Sequence, residues 1–429
     1  MPNPLPDTVS RKGIIQGRKP IELPQSGTPW PELRDRMIGL GGGDVAWRDG
    51  RAAVYVFNAG LEIEQVQKEA YTLFMAENGL GFSAFPSLRE MEATVVGYGL
   101  SLLNAPEGAA GNMTSGGTDS ITMAIKAARE FARQERGLVG KPNIVLPFSA
   151  HPAFDKAALL MDIDIRRTPL KGYVADPAAM DAATDDSTIM IVGSAPCFPY
   201  GLIDPIVALG ALAVARDLWL HVDACVGGYL APFVRMNGGD IPSFDFEVAG
   251  VSSMSADLHK YGYCAKGAST VFFRSEALRD YMTFDCNAWP GGRMVTPTLA
   301  GTRPGGAIAA AWAVMNFLGV GGYRAKHALV TAAREKIERG AGLLGFEVIG
   351  KPQLGLLALT RPGIDVNGLW SRMHSRGWFT SITTDPPGLH LMLSPVHADM
   401  ADAYLNDLSW AQESLTGTRA KNEAPRYGA

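Results

Sequence analysis

Four short runs in this chain carry residue types that chemistry needs, and they come in a set order. The first is Thr114-Ser115-Gly116-Gly117-Thr118-Asp119-Ser120, at the head of a segment with helical spacing. Its two glycines let backbone approach a ligand, and the free N–H groups of a helix start attract anions such as phosphate. Alone, the run is equally a helix cap. The second is Ser149-Ala150-His151-Pro152, just past a strand-like run ending at Pro147. An imidazole there can stack on a flat ring and relay protons, or simply satisfy a backbone carbonyl. The third is Leu220-His221-Val222-Asp223-Ala224. A carboxylate closing a buried strand sits where open α/β sheets bind ligands, and it can pair with a protonated pyridine nitrogen. The plain alternative is a cap for the turn at Gly227-Gly228. The fourth is Ser255-Ala256-Asp257-Leu258-His259-Lys260-Tyr261-Gly262-Tyr263. A lysine desolvated at a strand end has a lowered pKa and suits Schiff-base chemistry, whereas most lysines stay solvated. His259 belongs either beside an anion or to an ordinary loop.

Elements must hold these runs in place. Short β-branched runs at 143–147, 163–167, 188–193, 219–223, 248–254 and 270–273 alternate with helical segments at 119–136 and 205–217. Such alternation predicts an α/β fold with a mainly parallel sheet covered on both faces. Upstream, helices are expected near 31–40, over 61–75 and from Pro86 to Leu103. Downstream, helices near 307–317 and 325–344 and strands near 355–360 and 390–393 predict a smaller α+β lobe. The division is therefore an N-terminal arm over 1–60, a large domain over 61–306 and a small domain over 307–429.

Bulk properties narrow the function. A net charge of −4 over 429 residues, with scattered Lys and Arg, argues against nucleic acid. The four cysteines, Cys197, Cys225, Cys264 and Cys286, have no metal-binding spacing and fit a reducing compartment, so cytoplasm is expected and no metal is. Residues 1–10 hold three prolines and no apolar core of a secretory leader. The apolar stretch 206–226 is broken by Arg216, Asp217, His221 and Asp223, so no membrane span is expected. No GxGxxG opens a helix after a strand, which disfavours a nicotinamide fold.

In order, the four runs resemble the group II decarboxylase superfamily of pyridoxal-phosphate (PLP) enzymes, fold type I, and within it the sphingosine-1-phosphate lyase family. Pro196-Cys-Phe-Pro-Tyr-Gly-Leu-Ile-Asp204, Trp289-Pro-Gly-Gly and Pro297-Thr-Leu-Ala-Gly301-Thr302-Arg-Pro-Gly-Gly306 extend the likeness. It runs from about Leu23 to about His397. The resemblance implies a large domain with a seven-stranded sheet plus a smaller α+β C-terminal domain. It implies PLP carried on Lys260, with Asp223 on the ring nitrogen and His151 on the ring face. Ser115, Gly116, Gly117, Thr118 and His259 would surround the phosphate, with Ser194 also at the cofactor. Gly301 and Thr302 would reach a neighbouring subunit's site in a homodimer. Tyr55 and Lys266 match the family's substrate-phosphate residues. Gly81 and Tyr200 stand where it has histidines.

The expected reaction is retro-aldol cleavage of a β-hydroxy amine, phosphorylated or not, to an aldehyde and a small amine such as phosphoethanolamine. The base is Lys260 once freed, Tyr261 or Tyr263. From Gly377 to Gly417 there is no Lys or Arg to clamp an α-carboxylate. The alternative is an amino-acid decarboxylase. A PLP-binding regulatory module has no support, since no DNA-binding segment is attached. The family's eukaryotic members carry a membrane helix that has no counterpart here, so a soluble protein with no integral membrane segment is expected.

Overall fold

The computed structural model describes residues 21–413 and 415. The segment 1–10, on which the leader reading rests, lies outside the described residues. Contacts divide the chain into 1–44 and 45–429. In the first unit a helix spans Trp30–Leu40, with proline in its first turn and no buried residue.

The second unit is built on a seven-stranded sheet. We number its strands β1 Ala110–Thr114, β2 Asn143–Pro147, β3 Asp164–Thr168, β4 Thr188–Ser194, β5 Trp219–Asp223, β6 Val251–Ala256 and β7 Ser269–Phe273. Their order across the sheet is β1-β7-β6-β5-β4-β2-β3. The pairs from β6 through to β3 are parallel, and β7 alone is reversed between β6 and β1. Strand β1 therefore points the same way as the parallel strands, so six carboxyl ends share one edge. Every residue of β2, β4, β5 and β7 is buried, as expected of strands covered on both faces. The helix Gly117–Gln134 covers part of one face with Ile121, Ala124, Ile125, Ala128 and Ala132, a helical stripe.

The smaller lobe has an antiparallel sheet of Glu347–Val348, Leu356–Thr360, Pro387–Met392 and Ser381–Thr384, in that spatial order. Residues 52–54 are buried against it: Ala53 N–H donates to Phe379 O, and Met392 N–H donates to Ala53 O. That stretch of the expected arm is thus part of the folded body. The two helices expected downstream form one run, Gly305–Leu343, broken at Gly319 (φ 53°, ψ −175°). The 306/307 lobe boundary falls at its start. Among the described residues this is the one helix long and apolar enough to cross a membrane. Half of its apolar window is buried inside the protein, and it packs on the helices Leu61–Leu73 and His397–Glu413.

Candidate active site

The shared carboxyl edge collects the four runs. Asp223 is the last residue of β5, His151 follows β2 by four positions, and Lys260 follows β6 by the same interval. The helix after β1 starts at Gly117. Together they wall a cavity of about 390 Å³ lined by Ser115, Gly116, Gly117, Thr118, Asp119, His151, Phe198, Asp223, Cys225, Asp257, His259 and Lys260, among others.

At one end lies the helix start, whose first N–H groups have no intrahelical partner. A side chain at Gly117 would place Cβ 2.7 Å from Cys225 Sγ and 2.9 Å from Asp257 Oδ2, so only glycine fits. Ser115 lines the cavity, but its N–H and hydroxyl both donate to Asp119 Oδ2 at 3.0 Å. His259 Nδ1 and Asp119 Oδ1 are buried without a hydrogen-bond partner. Burial holds His259 down to a pKa of about 4 against the pull of Asp257, so its ring is neutral near pH 7.

At the centre, Asp223 Oδ1 accepts from Cys225 N–H (3.1 Å) and Ser255 Oγ (3.4 Å), which fixes the carboxylate at the strand end. His151 Nδ1 accepts the N–H of Ala153 (3.1 Å). Burial lowers its pKa, and in the neutral ring this bond places the proton on Nε2. Lys260 Nζ lies 2.8 Å from Asp257 Oδ2.

That contact reverses one expectation. Burial pushes Lys260 down, but Asp257, with Asp223 beyond it, pushes up further, and the ammonium ends above the ordinary lysine value. Burial alone would lift the Asp257 carboxyl, and Lys260 and His259 outweigh it to hold the pKa low. The sequence reading gave Asp257 no role. Its spacing of three from Lys260 was the available signal.

Other expected residues fall elsewhere. The Tyr261 hydroxyl turns from the cavity and donates to Leu393 O (2.6 Å) and Gly355 O (3.3 Å) in the smaller lobe, so Tyr261 is not the base. Tyr263 is buried too, its hydroxyl 3.0 Å from His327 Nδ1. Ser194 pairs with Asp223 across β4 and β5; its buried Oγ has no hydrogen-bond partner, and the residue is not in the cavity wall. Gly301 and Thr302 do not line this chain's cavity either. Lys266 Nζ donates to Tyr55 O (2.9 Å) and His259 O (3.1 Å), directly behind the wall. Crowding by protein first, and the Lys260 charge second, lower its pKa. Tyr200 donates to Asp385 O and lines an adjoining cavity of about 400 Å³ that shares His151 and Phe198 with the first.

An anion-seeking helix start, an orphaned buried imidazole nitrogen, a second histidine in the cavity wall, a strand-end carboxylate and a lysine suit one flat, phosphate-bearing aldehyde. Fold and cavity define a PLP enzyme of fold type I. Residues 20–360 match the pyridoxal-dependent decarboxylase conserved domain. Sphingosine-1-phosphate lyase of Oryza sativa is 39% identical over 95% of this chain and 78% of its own length. A probable L-tyrosine/L-aspartate decarboxylase of Methanothermobacter thermautotrophicus is 32% identical over 80% of this chain and 92% of its own. The solved sphingosine-1-phosphate lyase of Burkholderia pseudomallei superposes with a TM-score of 0.89 at 35% identity, covering 93% of this chain and 94% of that one. The chain belongs to the pyridoxal-dependent decarboxylase family, in its sphingosine-1-phosphate lyase branch.

Proposed function

We propose that this enzyme cleaves the Cα–Cβ bond of a long-chain β-hydroxy amine, phosphorylated on the neighbouring carbon, to an aldehyde and phosphoethanolamine. Lys260 carries the cofactor, Asp223 holds its ring nitrogen and His151 covers its face. The first turn of the helix at Gly117, with His259, receives its phosphate. Bound there, PLP supplies the sink for the electrons of the breaking bond. Released as a neutral amine, Lys260 would accept the β-hydroxyl proton, Asp257 stabilising the ammonium so formed, and that ammonium would return the proton to the substrate carbon.

The observation that carries this reading is that Lys260 is the one base named from the sequence that faces the cavity. A carboxylate clamp has no support in the same wall. Among the described residues no arginine lines this cavity. Arg167, in the adjoining one, donates to the carbonyls of Pro147, Phe148 and Ala150 and pairs with Asp155. The second reading, an amino-acid decarboxylase, is favoured by the archaeal relative and predicts CO₂ instead of aldehyde. Incubating holoenzyme with phosphorylated and unphosphorylated long-chain amino alcohols, while following aldehyde, tests the proposal. CO₂ from amino acids with no aldehyde from either alcohol would replace it with the second reading. We further place the enzyme in the cytoplasm as a homodimer, Gly301 and Thr302 completing the partner's site.

A further inference from the structure

Strand β1 is the edge of the large sheet, and it leads straight into the helix start that faces the cavity. An edge strand leaves alternate N–H and C=O groups without a strand partner. At Met113 both are taken by one buried ion pair. Glu92 Oε1 accepts Met113 N–H (3.0 Å), and Arg303 Nη1 donates to Met113 O (3.1 Å). The two side chains meet at 2.6 Å, and the residues, Glu92 and Arg303, are 5% and 4% exposed. Arg303 Nη2 also donates to Gly79 O (3.3 Å), and Gly79 N–H donates back to Arg303 O (2.8 Å).

Stability alone is a poor account of this pair. Taking two charges out of water costs several kcal/mol per ion, roughly, and apolar side chains of similar volume often do as well. Here Glu92 Oε2 and Arg303 Nε are moreover buried without partners. What an apolar replacement could not do is grip a single residue from both its N–H and its C=O side. The gripped residue lies two positions before Ser115 and four before Gly117, where a displacement would move the helix start against Cys225 and Asp257.

We propose that Arg303, with Glu92, is a positioning residue for the cofactor's phosphate: the pair sets the height of the 115–118 cradle through Met113. It touches neither cofactor nor substrate, and it ties the cradle to the Gly301–Gly306 loop that carries Arg303. This rests on PLP binding and not on the substrate proposed above.

The discriminating readout is affinity for PLP against affinity for pyridoxal, which lacks the phosphate. Holoenzymes of wild type, Arg303→Lys and Gly79→Ala are resolved with hydroxylamine and re-titrated with each ligand, bound cofactor being read from visible absorbance. Lysine keeps the charge but loses the fork that reaches Glu92 and Met113 through Nη1 and Gly79 through Nη2, so PLP affinity should fall about tenfold and pyridoxal affinity by less than about twofold. Gly79→Ala keeps the arginine, but its Cβ would sit 3.2 Å from Nη2 and 3.1 Å from Ile308 Cδ1, displacing the guanidinium. It should cost PLP about threefold, again sparing pyridoxal. If Arg303→Lys does not fold, Gly79→Ala decides. An unchanged PLP-to-pyridoxal ratio in the folded variants overturns the proposal and leaves the pair a structural contact.

Discussion

At the scale of single residues, the site rests on Lys260 and the carboxylates around it. Lys260→Ala should abolish turnover, and borohydride should no longer fix cofactor to the chain. Asp223→Ala should lower the rate by orders of magnitude even in molecules that retain PLP, because the ring nitrogen loses its partner. A near-normal rate with bound cofactor would reduce Asp223 to a turn cap. The substrate phosphate is tested further out. Lys266→Ala should raise KM for a phosphorylated substrate severalfold more than for its unphosphorylated counterpart, since a charge-assisted hydrogen bond is worth about 1.5–3 kcal/mol. A Cβ at Gly81 meets nothing closer than 3.9 Å, so Gly81→His should be accommodated and should lower that KM. Equal effects on both substrates would mean the pocket does not read phosphate. Lys260, Asp223 and His151 were legible in the sequence because each ends or follows a strand-like run in a characteristic string, and the 115–118 run because it heads a segment with helical spacing. Asp257 and Tyr261 were not, because the path of the loop around Lys260 sends one side chain into the cavity and the next away from it. No spacing rule records that turn.

At the scale of elements, the strands with branched apolar residues were legible and β1 was not. Ala110-Gly111-Asn112-Met113-Thr114 offers one β-branched residue, and its place is set by pairing with β7 and by Glu92 and Arg303. The gap expected between two downstream helices was seen correctly as a break, but it is a single residue wide. Gly319 occupies a backbone region open almost only to glycine, and a Cβ there would meet nothing within 4 Å. The penalty of Gly319→Ala is therefore purely conformational, roughly 1–3 kcal/mol. Thermal unfolding should show a lower Tm with unchanged cofactor binding. An unchanged Tm would mean the helix straightens through the break at no cost.

At the scale of the whole molecule, buried histidines set the response to acid. His221 lies between Ser253 Oγ and Ser255 Oγ, His390 between Ser381 Oγ and Phe198 O, and His397 against Ser394. Burial depresses each to a pKa of about 4. The unfolded chain, with histidines near 6.5, binds more protons than the folded one between those values. Stability should be full above about pH 6.5 and fall as pH drops towards 4, so the urea midpoint should decline across that window. A flat midpoint would show that the imidazoles can charge in place. A different consequence follows from Tyr261, the neighbour of Lys260, whose hydroxyl is held by the carbonyls of Gly355 and Leu393. Both acceptors are main chain, so no side chain in the smaller lobe supplies this tether. Leu393 can drift through evolution, or be rewritten by an engineer exchanging lobes between homologues, without loosening it. Gly355 cannot: a methyl group there would collide with the Tyr261 oxygen. Chimeras should thus tolerate wide divergence in the transplanted lobe, provided that glycine travels with it.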